Sequence, residues 1–134
     1  MTLYLEVLTS NGVMLRSETQ EVILSTNSGQ IGILTNHSPL LTGLDIGVMK
    51  ARIDGKWVAM AVLGGFAQIQ NNKVIVLVNE AENASSIDLD EAQSSLIIAQ
   101  VKLSQAVNLR QQIEATLAVK RAKARLEAAQ AISR

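Results

Sequence analysis

The sequence predicts an all-β sandwich or flattened barrel followed by an α-helical antiparallel hairpin. All eight glycines and the single proline lie at or before Gly65. Because those residues punctuate turns and break helices, the chain divides into two architectures joined end to end. The front half alternates short apolar runs with turn signals, whereas the stretch after Ser86 is rich in Ala, Gln, Leu and Lys or Arg at helical spacing. At 134 residues and 48% apolar content the chain can bury one core of modest size. A β domain over residues 1–85 and a helical extension over 86–134 are therefore expected.

Leu3, Leu5 and Val7 alternate with Tyr4 and Glu6, the pattern of a strand with one buried face. Asn11-Gly12 offers a hairpin turn before Val13 to Arg16. Further strands read at Glu21 to Ser25, Gln30 to Leu34, Val48 to Ile53, Lys56 to Leu63, Phe66 to Gln70 and Lys73 to Val78, with Asp54-Gly55 and Asn71-Asn72 as the turns of a meander. In the second half, Asp88 is placed to cap a helix with Glu91 three residues on. Leu89, Ala92, Leu96, Ala99, Leu103 and Ala106 form its narrow apolar seam. Asn108 with Gln111 repeats the capping pattern, so the break between helices is expected near Asn108. A second helix then runs from about Leu109 to Ala131, with Ala115, Val119, Ala122, Leu126 and Ala129 as its seam.

Composition narrows the functional classes. Twelve basic and twelve acidic residues cancel, so no bulk field attracts nucleic acid. Without cysteine there is no disulfide framework and no thiolate metal site. The start, Met1-Thr2-Leu3-Tyr4-Leu5-Glu6, has no basic region followed by an apolar run, and neither a secretory signal nor a transit peptide is expected. Trp57 to Ala67 falls short of the roughly 20 apolar residues that span a bilayer, so no membrane-spanning segment is expected.

Residues that carry chemistry are sparse. Gly29-Gln30-Ile31-Gly32 lacks the following Lys-Ser or Lys-Thr of a phosphate loop and reads as a strand-to-strand turn. His37 is the only histidine; a metal site would need it alone with distant carboxylates, and a loop or interface role suits it better. No serine has another base partner, and the carboxylates are scattered over turns and helix starts. An enzyme in its own right is not expected, nor a catalytic, metal or cofactor site. Lys120, Arg121, Lys123 and Arg125 crowd four cations into six residues. Two readings stand: a solvated face near a helix C-terminus, where cations suit the dipole, or a docking site for an acidic partner. RNA is disfavoured because no aromatic residue lies in the helical half.

The run Leu24-Ser25-Thr26-Asn27-Ser28-Gly29-Gln30-Ile31-Gly32-Ile33-Leu34, followed by Asn36-His37-Ser38-Pro39, resembles the ε subunit of F-type ATP synthase in its plastid form. The likeness continues through Asp45-Ile46-Gly47, Leu63-Gly64-Gly65-Phe66-Ala67, Val74 to Asn79 and Lys120 to Arg125, and covers essentially the whole chain in order. The resemblance implies a sandwich of about ten short strands and a two-helix C-terminal domain, present as one copy in a hetero-oligomeric complex. It implies a central-stalk rotor subunit bound to the γ subunit and seated on the c-subunit ring, coupling proton flow to ATP synthesis. Its helices would restrain ATP hydrolysis at the catalytic β subunit. The expected location is peripheral, on the stromal side of the chloroplast thylakoid membrane.

The resemblance further implies that Gln30, Asn36, His37 and Ser38 face the c ring, and that Lys120, Arg121, Lys123 and Arg125 are the regulatory cations. This chain departs from the family pattern twice. Thr35 stands where proline is frequent, which removes a fixed φ. Some bacterial relatives bind ATP through Ile-Asp-x-x-Arg-Ala, but the matching residues here are Ile87-Asp88-Leu89-Asp90-Glu91-Ala92, with an anion where the phosphate-facing cation would stand. No nucleotide binding is expected. The alternative function is a stand-alone adaptor, with a protein-binding sandwich and a basic helix for an acidic partner.

Overall fold

In the computed structural model, which describes residues 2–132, Leu3, Leu5 and Val7 are fully buried and Tyr4 faces outward. The period of two thus sets the orientation of the first strand, β1 (Leu3–Thr9). It is followed by β2 (Gly12–Thr19), β3 (Glu21–Thr26), β4 (Gly29–Ile33), β5 (Leu40–Ile53), β6 (Lys56–Gln70), β7 (Lys73–Val78) and β8 (Ala81–Asn83). A 3-10 turn at Ala84–Ser86 leads to α1 (Leu89–Ser104) and α2 (Leu109–Gln130). Two hairpins close through two-residue loops whose central residues are left-handed: Asp54-Gly55 (φ +52, +78) and Asn71-Asn72 (φ +53, +60). That geometry matches strand twist and selects Asn, Asp and Gly. The Gly29 to Gly32 segment is not itself a turn. It forms most of β4, paired with β3, and the turn is Asn27-Ser28 before it.

The strands follow the order β2-β1-β7-β6-β5-β3-β4, with β8 also on β6. All pairs are antiparallel except β1 with β7. Among the described residues the sandwich has eight strands rather than about ten, because β5 and β6 run 14 and 15 residues and serve both layers. Residues 60–62 of β6 pair with β8, and residues 65–70 of the same strand pair with β7. The runs Lys56 to Leu63 and Phe66 to Gln70 are therefore one strand, and the strand expected from Val48 begins at Leu40. Gly64 and Gly65, where the sequence suggests a break, instead mark the change of layer (φ +79, +145). A Cβ on Gly65 would meet the backbone of Leu77 and lie 2.7 Å from Val78 Cα, so only glycine fits.

Two cores result. Between the layers pack Leu3, Leu5, Val22, Leu24, Met60 and Ile69, among others. On the outer face of β5 and β6, Val48, Ala59 and Ala61 meet Ala124, Ala128 and Ala129 of α2 together with Ile87 and Ala92. The hairpin is thus more than two helices sharing a private seam. Ala122 and Ala129 of the expected seam are buried, but so are Ala124 and Ala128 on a second face of α2, which lies against the sheet. Alanine on both surfaces lets the backbones approach closely, at the cost of little apolar area per residue.

Candidate functional site

Asn36, His37 and Ser38 sit together in the loop between β4 and β5. Gln30 does not join them: it lies exposed in β4 opposite Ser25, about 13 Å back along the strand from Leu34. Asn36 is left-handed (φ +64), and its N–H donates to Asn72 Oδ1 at 2.6 Å. The His37 N–H closes a turn on the Leu34 carbonyl at 3.3 Å. His37 Nδ1 lies 2.7 Å from the Ser38 carbonyl, which can only accept, so Nδ1 is the donor of this bond. The loop presents hydrogen-bonding groups without a charged partner. Among the described residues no cluster of three or more His, Asp or Glu side chains is placed to hold a metal.

The basic run of α2 is split by the fold. Arg125 forms a two-point fork on Glu82 of β8, with Nε donating to Oε2 at 2.8 Å and Nη2 to Oε1 at 3.2 Å. It also meets Glu91 of α1, with Nη1 donating to Oε1 at 3.2 Å and Nη2 lying 2.9 Å from Oε2. One guanidinium therefore ties β8, α1 and α2 together, a geometry that suits Arg rather than Lys. The hydrogen bonds that Arg125 donates to Glu82 and then to Glu91 raise its pKa further above its ordinary range. The bond from Arg125, then that from Ser95, holds the Glu91 carboxyl below the usual carboxylate value. Lys120 Nζ is 3.8 Å from Asp45 Oδ1 of β5, a second and looser contact to the sheet. Arg121 and Lys123 are exposed and make no ion pair among the described residues. The four cations are consequently not one solvated face: two point to the sandwich and two to solvent.

Helix capping positions these groups. Asp88 Oδ1 accepts the Glu91 N–H at 3.0 Å, which starts α1 so that the Glu91 side chain reaches α2. Asn108 Oδ1 accepts the Gln111 N–H at 2.9 Å, and Gln111 Oε1 accepts the Val107 N–H at 2.9 Å, fixing the interhelical turn. Sequence reasoning missed Asp45, Glu82 and Asn72, because each is paired only by the long-range fold. It also passed over Ile97, Ile98, Val101, Leu109, Ile113 and Leu117, which lie off the seam. All six are exposed, Leu109 by 72%. The four-residue spacing of Leu109, Ile113 and Leu117 was the available signal.

The fold and these contacts define a two-part protein, a β-sandwich carrying a helical hairpin strapped across one outer face by side-chain ion pairs. Residues 2–84 match the family described as ATP synthase, Delta/Epsilon chain, beta-sandwich domain, and residues 85–130 match ATP synthase, Delta/Epsilon chain, long alpha-helix domain. The chain belongs to the delta/epsilon-chain family of ATP synthase. It is 63% identical over 131 residues to the ATP synthase epsilon chain, chloroplastic, of Zygnema circumcarinatum, covering 98% of each chain. Against the same-named chain of Staurastrum punctulatum it is 60% identical, covering 99% of this chain and 96% of the relative. A chain in the cryo-EM structure of the Euglena gracilis mitochondrial ATP synthase shares the fold. Its TM-score is 0.85 at 24% identity, covering 96% of this chain and 81% of that one.

Proposed function

We propose that this chain is the non-catalytic central-stalk subunit of a plastid ATP synthase. In this reading it is present in one copy, couples proton flow to rotation, and restrains ATP hydrolysis through its C-terminal helices. The sandwich docks on the γ subunit and the c ring, with the loop at Asn36, His37 and Ser38 toward the ring, and Gln30 at the neighbouring strand edge. The location that follows is peripheral, at the stromal side of the thylakoid membrane. No helix among the described residues is long and apolar enough to cross a membrane.

The observation that carries the regulatory half is the division of the basic run. Arg125 and Lys120 hold the hairpin to the sandwich, while Arg121 and Lys123 remain available to an acidic surface on the catalytic β subunit. Exposed ion pairs contribute about 0.2 to 1 kcal/mol each, so a few of them bias a two-state element without locking it. The exposed apolar residues near the interhelical turn support partner docking once the hairpin swings away. The test is reconstitution of a complex lacking this subunit. Restored ATP synthesis and stoichiometric recovery with γ and the c ring support the proposal. Recovery of the chain with unrelated acidic proteins instead would favour a stand-alone adaptor.

A further inference from the structure

We infer that Asn72, in the turn between β6 and β7, is the residue that positions the ring-facing loop, so that the docking surface is built from two chain segments. The inference rests on the c-ring reading above. Asn36 and Asn72 are both non-glycine residues in the left-handed region, at φ +64 and +60. Their side chains meet across a sequence separation of 36. Asn72 Oδ1 accepts the Asn36 N–H at 2.6 Å, and Asn72 Nδ2 lies 3.5 Å from Asn36 Oδ1. The Asn72 carbonyl is itself held by the Tyr4 N–H at 2.9 Å, which anchors the turn to the first strand of the sheet. The other bonds described for these loop residues stay within the loop, the His37 turn bond at 3.3 Å and the 2.7 Å contact of His37 Nδ1 with the Ser38 carbonyl, and Thr35 does not fix its own φ as proline would. A short bond from a turn anchored in the sheet to the backbone of a mobile-type connection is what converts a loop into a fixed surface. A left-handed backbone also explains the residue type, since Asn tolerates it while offering one acceptor and two donors in the plane of the amide.

The partner in this reading is the c ring, whose loops would read fixed donors and acceptors on this surface. Asn36, His37, Ser38 and the neighbouring Asn71 supply those groups, with no formal charge among them. A loop that fluctuates would lose the ordering contribution on each docking event, so loosening Asn72 weakens docking without unfolding the sandwich.

The chain contains no cysteine, so Ser38→Cys supplies a single, nearly isosteric probe. A spin label there reports loop order in the isolated protein, and a short photocrosslinker there reports proximity to the c ring in the reconstituted complex. Asn72→Gly keeps the left-handed backbone and deletes both side-chain contacts. Asn72→Asp keeps the Oδ1 acceptor and loses only the longer contact. The expected result is a sharply narrowed spin-label spectrum and a several-fold loss of ring crosslinking in the Gly variant. The Asp variant should rescue most of both, with an unchanged melting transition in the sandwich. An unchanged spectrum with full crosslinking in Asn72→Gly overturns the positioning role and leaves the c-ring reading standing. No crosslink to the ring with Asn72 intact overturns the c-ring reading, and the docking role of Asn72 with it, whatever the spectrum shows.

Discussion

Arg125 of α2 grips Glu82 of β8 through two parallel hydrogen bonds, at 2.8 and 3.2 Å, although 43 residues separate them in sequence. The same guanidinium reaches Glu91, so the residue that closes the hairpin onto the sandwich belongs to the basic run proposed to act on a partner. The two uses exclude each other. A cation engaged with Glu82 and Glu91 is unavailable elsewhere, and a partner that takes it must open the hairpin.

Glu82→Gln should therefore loosen the docked hairpin without altering the inter-layer core. Amide hydrogen exchange in the isolated protein is the measurement. Protection in the Ala122 to Ala129 segment should fall roughly 1.4- to fivefold, the range for losing one partly exposed charge pair, while β1 and β7 keep theirs. Uniform loss across both segments would mean that Glu82 supports the fold as a whole.

How much of this was legible in the sequence follows from the range of the interactions involved. The period of two in Leu3, Leu5 and Val7 and the caps at Asp88 and Asn108 are local, and each appears where the residues placed it. The two faces of α2 were not legible, because alanine at 124 and 128 is equally at home on a solvated helix; only the small side chains of Ala59 and Ala61 across from it give those positions meaning. The same holds for Gly64-Gly65, a turn signal in isolation that the structure uses to carry one strand from layer to layer. Of the candidate site, residue types were visible but pairing was not. Nothing short of the fold tells Arg125 from Lys123.

Acid should open the hairpin. Glu91 titrates below its unfolded value because Arg125 and Ser95 bond its ionised form. Its contribution to docking is complete above the unfolded carboxylate value of about 4.3 and is lost as the pH falls through the depressed folded value. The protection factor of α2 in the isolated protein, which is the exchange rate relative to the intrinsic rate at each pH, should fall in that acid window and be flat between pH 6 and 8. The Glu91→Gln variant should show a smaller acid response than the parent. An identical response would assign the effect to other carboxylates.

Removing everything after Ala84 should leave a folded sandwich that is less stable than the full chain. The core between the layers is untouched, but Val48, Ala59 and Ala61 lose their cover. Exposing one valine and two alanines costs about 2 kcal/mol, which lowers the melting temperature by roughly 8–16 °C for a domain of this size. A cooperative circular-dichroism melt displaced by that amount is expected. Absence of any transition would show that the two parts fold only together.

The isolated protein should bind ATP no more tightly than about 1 mM, equivalent to about −4.1 kcal/mol. Two guanidiniums line the cleft between β6, β8 and α2: Arg125 is already taken by two carboxylates, and Arg121 shares the cleft with Glu80 and Glu82. A nucleotide would have to displace those carboxylates from Arg125 and then share the cleft with them. Calorimetry with and without magnesium decides the matter, and a saturable heat at micromolar ATP would refute it.

Within the basic run the structure orders the expected effects. Arg125 gives up two carboxylate contacts when the hairpin opens and gains new ones on an acidic partner, so Arg125→Ala should change the restraint on ATP hydrolysis little in either direction. Arg121 and Lys123 have no ion pair to surrender among the described residues. Their contacts with a partner are net gain, about 0.2 to 1 kcal/mol each, and Arg121→Ala with Lys123→Ala should weaken inhibition roughly two- to thirtyfold. Alanine preserves helix propensity, so lost helicity is not a confounding cause. Because such pairs are screened over about 10 Å at 0.1 M ionic strength, inhibition by the parent chain should fall as salt rises, and the double variant should be nearly salt-independent. Glu82→Gln shifts the balance the other way: it frees Arg125 and loosens the docked state, so inhibition should exceed that of the parent. The assay is hydrolysis by the reconstituted soluble catalytic part of the complex at low and high salt. If the Glu82 variant inhibits less than the parent, or if the parent and the double variant inhibit equally at both salts, then the cations are a solvated helix face and the restraint arises from the apolar residues near the interhelical turn.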